Sequence, residues 1–332
     1  MMQQFAKWIA CLILILPFTL SAQQAETTPE VGDTISQQIP GTDVNFKMAY
    51  VPGGAYTMGS PADEAGRDED EGPQFEVKVE PFYMGVFEVT YDEYNVFRDK
   101  ELDVPTPEKP DWDAAAVARP SPPYEDPTFG MGKEGFPAAS MTQFAALQYC
   151  KWLSEKTGVF YRLPSEAEWE FACRAGKTGP YYFDEDASSV EEHAWYYDNS
   201  NEKYHKVGAK LPNPYGLYDM LGNVSEWTLD EYEADSYTTM STEMSGEVNP
   251  WIKPTKLLPR TVRGGSWDDD VNEQRCSCRI PSSRKWKERD PQIPKSFWWN
   301  TDSPFVGFRI IRPYHQPSKE EQAAFWEMVL GG

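Results

Sequence analysis

Histidine and cysteine are scarce in this chain, and their scarcity excludes several kinds of chemistry. Of 332 residues, three are histidine and five are cysteine, one of them Cys11 near the start. His193, His205 and His315 stand at no ligand spacing to the cysteines, which argues against a zinc site. Positive charge is short too: 31 Lys and Arg face 53 Asp and Glu, for a formal net charge of −22. Nucleic acids and anionic lipid surfaces are held by clustered Lys and Arg, so neither is an expected partner. No internal repeat is visible. Beyond the first 22 residues no apolar run is long enough to cross a bilayer, so no membrane span is expected in the mature chain.

Residues 1–22 have the layout of a secretory signal peptide: Lys7, an apolar run from Trp8 to Leu16, then Leu20-Ser21-Ala22 as a cleavage site. Export, to the periplasm or outside the cell, is therefore expected, and disulfides can persist there. Four cysteines remain, Cys150, Cys173, Cys276 and Cys278, and they allow three pairings. Cys276 and Cys278 are poor partners for each other across one residue of extended chain.

Aromatic residues, by contrast, are plentiful. Twelve Trp, 18 Tyr, 28 Pro and 23 Gly, with 40% hydrophobic residues, suggest a sizeable core with long loops pinned by aromatic packing. Residues 23–45 are polar and are expected to be a flexible linker. Phe46–Val51 and Ala55–Met58 flank Pro52-Gly53-Gly54 like the arms of a hairpin. Residues 60–74 should be a solvated acidic loop, and Phe75–Val79 and Phe82–Val86 short strands. Capping boxes Thr90/Glu93, Ser165/Glu168 and Ser318/Glu321 start three helices, and Thr142 caps a fourth that stops at Gly158. Residues 103–137, 177–215 and 232–260 lack periodicity, and long ordered loops on a small frame usually carry function.

The stretch Thr261–Arg279 concentrates unusual chemistry. Gly264-Gly265 permits a sharp turn, Ser266-Trp267 follows, and then come Asp268, Asp269 and Asp270, with Cys276 and Cys278 close behind. It is either a turn leading into a solvated acidic loop or the lining of a site.

Seven segments, taken together and in order, resemble the formylglycine-generating enzyme family, also called sulfatase-modifying factor domains. They are Val51-Pro-Gly-Gly-Ala-Tyr-Thr-Met-Gly59, Phe87-Glu-Val-Thr90, Tyr161-Arg-Leu-Pro-Ser-Glu-Ala-Glu-Trp169, Asn213-Pro-Tyr-Gly-Leu-Tyr-Asp-Met220, Gly222-Asn-Val-Ser-Glu-Trp227, Arg263-Gly-Gly-Ser-Trp267 and Gly307-Phe-Arg309. The resemblance implies a single α+β, C-type-lectin-related domain over residues 46–316, loop-rich with little regular secondary structure. A C-terminal helix over 317–332 would follow it. Such enzymes oxidise a cysteine of an unfolded sulfatase segment to formylglycine, using oxygen and copper held by two cysteines. The first of that pair lies two residues after the aromatic of the Gly-Gly-Ser-aromatic motif and the second five later. Counting from Trp267 gives Asp269 and Gln274, and counting back from Cys278 gives Asp268 and Glu273. Hard oxygen ligands do not replace a Cu(I) dithiolate, so copper is not expected.

The resemblance also implies a structural disulfide from Cys173 to a cysteine about twelve residues after the motif's aromatic, for which Cys278 is the better match. Cys150 would then be a buried free thiol, with a Cys150–Cys276 bridge as an alternative. Ser266, Trp267, Asp268, Asp269 and Asp270 would line the family's groove. A calcium loop is implied at Asp219, Gly222, Val224 and Glu226, the alternative being that Asp219 caps a turn and Glu226 pairs with an arginine. The second calcium loop of the family should fall near 193–209. The expected function is a non-catalytic, exported family member that binds an extracytoplasmic protein or glycan or serves a structural role. The alternative is a formylglycine-generating oxidase with relocated thiols at Cys276 or Cys278. A hydrolase using Asp268–Asp270 lacks any fixed second partner.

Overall fold

The computed structural model of the chain describes residues 28–183 and 187–331. The expected signal peptide and the first residues of the expected linker lie outside the described residues. The fold is α+β, as expected, with short elements joined by long ordered loops.

A first sheet has four antiparallel strands in the order β1, β2, β5, β10, where β1 is Thr34–Gln38, β2 Asn45–Val51, β5 Phe82–Gly85 and β10 Ile311–Pro313. Strand β1 lies inside the segment expected to be a linker. It pairs with β2 residue for residue, and Ile39, just beyond it, is fully buried. The sheet gives those polar residues backbone partners, which composition alone does not reveal. The expected hairpin is also rearranged. Both arms are strands, but β3, Gly54–Met58, pairs with β4, Phe75–Val79, in a sheet of two. The turn explains the split: a Cβ on Gly53 would lie 2.5 Å from the Val79 carbonyl oxygen, so the chain is pressed onto the end of β4 and led away from β2. A third sheet orders β8, β7, β6, β9, formed by Arg279–Pro281, Arg260–Arg263, Ser225–Glu231 and Val306–Gly307, with β6 and β9 parallel.

Helices form where their caps predict. In α1, Tyr91–Arg98, the Thr90 and Glu93 side chains satisfy each other's backbone amides. The α2 helix, Gln143–Thr157, starts on Thr142 and ends at Gly158 with φ of 77°, a left-handed cap that favours glycine. Both expected apolar stripes of α2, Ala145/Tyr149/Trp152 and Ala146/Cys150/Leu153, are buried. Tyr94 and Phe97 of α1 meet Tyr149 of α2 at ring-centroid distances of 6.0 and 5.9 Å, and Phe308 packs edge-on to Tyr149 at 5.4 Å. The α3 helix is Glu166–Arg174, α4 Val190–His193, α5 Tyr197–Ser200, α6 Ser236–Glu243 and α7, the C-terminal helix, Lys319–Leu330. Among the described residues no helix is long and apolar enough to cross a membrane.

The sheets and α3 are tied together by buried ion pairs. Arg309 donates from Nη2 to Glu226 Oε1 at 2.7 Å and from Nε to both of its oxygens, while Trp169 Nε1 of α3 donates to Glu226 Oε2 at 2.7 Å. The same guanidinium reaches the carbonyls of Gly85 and Tyr218, each at 2.7 Å. Glu170 of α3 accepts from Arg263 of β7 and from Arg174, and Glu166 accepts from Arg279 of β8 at 2.8 and 3.0 Å. Breaking such a pair leaves an uncompensated charge in the interior. Arg309→Met should therefore lower unfolding free energy by about 3–5 kcal/mol in urea titrations, whereas Lys319→Ala on the surface of α7 should change it by less than about 0.5 kcal/mol.

Candidate functional site

The Gly-Gly-Ser-Trp turn sits at the end of β7. Gly264 and Gly265 have φ of 99° and 66°, and a Cβ on Gly265 would lie 2.6 Å from the Gln274 amide nitrogen. The chain turns there and at once comes back against itself. Trp267 donates its backbone N–H to the Asn223 carbonyl and accepts from Ser200 Oγ. Ser266 Oγ donates to Asp269 Oδ2 at 2.6 Å. Ser266 and Trp267 are thereby buried and serve as supports rather than as an open lining. Of the five residues expected to line the groove, Asp268 and Asp270 are exposed and Asp269 is half-buried. Burial, then the nearby Glu273 and Asp268 carboxylates, push the Asp269 carboxyl up to about 6. Asp268 is raised as well, by burial and then by Glu202.

Gln274 occupies one of the positions where the resemblance would place a thiol. Its side chain is buried, donates to the carbonyls of Ser266 and Asp270, and leaves Oε1 without a hydrogen-bond partner. It fills the space behind the turn instead of presenting a reactive group.

The cysteines depart from expectation. Cys173 of α3 is bridged to Cys276, not to Cys278. A turn at Arg275–Cys278, closed by the Cys278 N–H on the Arg275 carbonyl, spans the bridged cysteine and leaves Cys278 buried and unbridged. Cys276 is held against α3 by its own N–H on Pro180 and by Arg263 donating to its carbonyl. The loop from Trp267 to the bridge is thus three residues shorter than the resemblance implied. Cys278 and Cys150 are free and buried, and burial raises both thiols well above the usual range. A nucleophilic or metal-binding cysteine needs an accessible thiolate, and neither environment supplies one. Arg275 also binds Glu71 and Glu64, so the acidic loop 60–74, expected to be solvated, is pinned to this turn. Glu71 is fully buried there.

A second constellation lies on the loop beside β6. Asp219 and Asn223 adopt left-handed φ of 54° and 57°, and a Cβ on Gly222 would meet the Trp195 carbonyl oxygen at 2.2 Å. Asp219 Oδ2 accepts from Gly208 N at 2.6 Å. Glu88 is 1% exposed, accepts from Asn223 Nδ2, and keeps Oε2 without a partner. Burial and Asp219 raise Glu88 well above the usual carboxylate range, and burial lifts Asp219 to about 6. Three buried carboxylates, Glu88, Asp219 and Glu226, therefore face the single guanidinium of Arg309.

That surplus of negative charge and the orphaned oxygen fit a hard cation at Asp219 and Glu88. Glu226 does not fit as a ligand: Arg309 and Trp169 fill both its oxygens, which is the arginine-pairing alternative. Among the described residues no three His, Cys, Asp or Glu side chains converge as a metal set, so backbone carbonyls such as those of Gly222 and Val224 would have to complete one. The sequence alone marks no role for Glu88, although it sits in the Phe87-Glu-Val-Thr90 segment. The signal for it is an acidic residue between Phe87 and Val89, a few residues past β5. In the 193–209 region Asn199 spends its side chain on the Tyr196 amide and the Ala194 carbonyl.

The model of the sulfatase-modifying factor enzyme 1-like domain family matches residues 37–313. The mouse protein called inactive C-alpha-formylglycine-generating enzyme 2 is 31% identical over 260 residues, covering 68% of this chain and 75% of that protein. A serine/threonine-protein kinase pkn1 of Chlamydia pneumoniae is 33% identical over 144 residues, which is 43% of this chain but only 21% of the kinase. Among solved structures, PvdO from Pseudomonas aeruginosa superposes with a TM-score of 0.64 at 27% identity, over 86% of this chain and 100% of that one.

Non-reducing peptide mapping should recover Cys173 linked to Cys276. Iodoacetamide should label Cys150 and Cys278 only after denaturation. A Cys173–Cys278 peptide, or labelling of Cys278 in the folded protein, would contradict the geometry described.

Proposed function

Because the chain belongs to the sulfatase-modifying factor enzyme 1-like family, we propose that it is an exported member that no longer forms formylglycine and acts as a binding or structural module. The observation that carries this reading is the Cys173–Cys276 bridge. It consumes one of the two thiols near the Gly-Gly-Ser-Trp turn, and the other, Cys278, is buried and protonated. No pair of thiolates is left to hold Cu(I), and Asp269 and Gln274 offer hard oxygens in its place. Export is supported by the layout of residues 1–22 and by the disulfide itself.

The partner is an extracytoplasmic protein or glycan. The exposed carboxylates of Asp268 and Asp270, with Asp269 and Glu202 beside them, favour a protein segment that presents Lys or Arg. Within the same reading, the Asp219 loop holds a structural calcium ion through Asp219, Glu88 and backbone carbonyls, while Glu226 braces Arg309 behind it.

Two measurements test this reading. The purified mature protein, given a Cys-x-Pro-x-Arg peptide, copper and oxygen, should form no aldehyde detectable by mass spectrometry. Turnover that disappears in Cys278→Ser would establish the oxidase alternative instead. Millimolar calcium should raise the melting temperature over an EDTA-treated sample by a few degrees, as expected for a ligand that binds only the folded state, and Asp219→Ala should abolish the shift. If calcium leaves the melting temperature unchanged, the Glu88–Asp219 pair shares a proton rather than an ion.

A further inference from the structure

A cavity of about 690 Å³ opens on the third sheet, lined by parts of α2, β6, β7, the Arg284–Lys287 turn and the end of α7. None of Ser266–Asp270 and none of the Asp219 loop contributes to it. Its volume falls in the range of small-molecule sites. Phe144 and Leu147 of α2, Trp227 of β6 and Trp286 make it apolar, the two indoles meeting edge to face at 5.6 Å. Leu257, Phe297 and Met328 line it too and are exposed by 73%, 60% and 45%, a concentration of bare apolar surface at one opening.

The cations of this cavity stand out in a chain with net charge −22. Lys256 is neutralised by Glu231 and Glu233. Arg260 is not. Its Nη1 is buried and has no hydrogen-bond partner, and the nearest carboxylate oxygen, on Glu231, is 3.9 Å away. Glu231 is already occupied by the backbone amides of Thr255 and Lys256, the Thr255 hydroxyl and Lys256 Nζ. Lys287 gives Nζ to the Ser296 carbonyl at 3.0 Å, and no carboxylate among the described residues pairs with it. A buried guanidinium nitrogen without an acceptor is costly, and an acceptor supplied by a ligand would relieve that cost.

We propose that this cavity binds an amphipathic carboxylate, an acyl-chain acid whose tail lies on Trp227, Trp286, Phe144 and Leu147 and whose carboxylate is held by Arg260, with Lys287 adding positive charge. The pairing is specific in sign. A neutral or cationic amphiphile would satisfy the apolar walls and leave Arg260 Nη1 without a hydrogen-bond acceptor.

Isothermal titration calorimetry with dodecanoate, kept below its micelle concentration, tests this on the purified mature protein freed of bound lipid. Saturable one-to-one binding is expected. Arg260→Gln should weaken it about tenfold, because a charge-assisted hydrogen bond is lost. Dodecyltrimethylammonium, with the same tail and the opposite charge, should not bind saturably. Circular dichroism checks that the variant is folded; if Arg260→Gln does not fold, Lys287→Gln carries the test, with several-fold weakening expected. Absence of saturable dodecanoate binding, equal binding of the two amphiphiles, or unchanged affinity in a folded variant would overturn the proposal.

Discussion

Everything near the candidate site hangs on one buried carboxylate. Glu226 receives Arg309 and Trp169 in a space with no access to water, and Arg309 then spends its remaining donors on the carbonyls of Gly85 and Tyr218. One hydrogen-bonded node thus fixes α3, the end of β5 in the first sheet, the Asp219 loop and the third sheet relative to one another. Charges of this kind survive burial only because each donor and acceptor is matched. Further along α3, Glu170 and Glu166 repeat the arrangement with Arg263 and Arg279. A loop-rich chain with few long elements gains rigidity from such pairs, since its backbone alone supplies little.

The same network explains the state of the site. Arg263 pulls the carbonyls of Cys276 and Ser277 toward α3, which sets Cys276 opposite Cys173. Once that bridge exists, the turn leaves Cys278 inside, away from solvent. On the other side of Glu226, the shortage of cations relative to Glu88 and Asp219 creates a demand for either a proton or a metal ion. The acids of the Gly-Gly-Ser-Trp turn have a different role: Asp269 is a brace for Ser266, and only Asp268 and Asp270 face outward.

Much of the fold was legible residue by residue. Capping boxes at Thr90, Ser165 and Ser318 mark helix starts because the signal is local, a side chain and an amide three residues apart. The stripes of α2 were legible for the same reason. Strand pairing was not: β2 and β3 are adjacent in sequence and belong to different sheets, because Gly53 packs against Val79, a contact 26 residues away. Strand β1 was missed because its polar residues gain backbone partners only from β2. The acidic loop 60–74 reads as solvated until Arg275, two hundred residues later, is seen to bind Glu71.

By itself the sequence determined the family, the helix starts and the negative charge of the chain, since each depends on residue type and local spacing. Tertiary structure decided which cysteine is bridged, that Glu226 serves Arg309, that Glu88 stands beside Asp219, and that Arg260 is left without an acceptor over an apolar cavity. These are matters of distance between segments far apart in the chain. A buried charge or thiol takes its chemistry from the partners that folding brings within about 3 Å of it, and those partners are invisible in a linear reading.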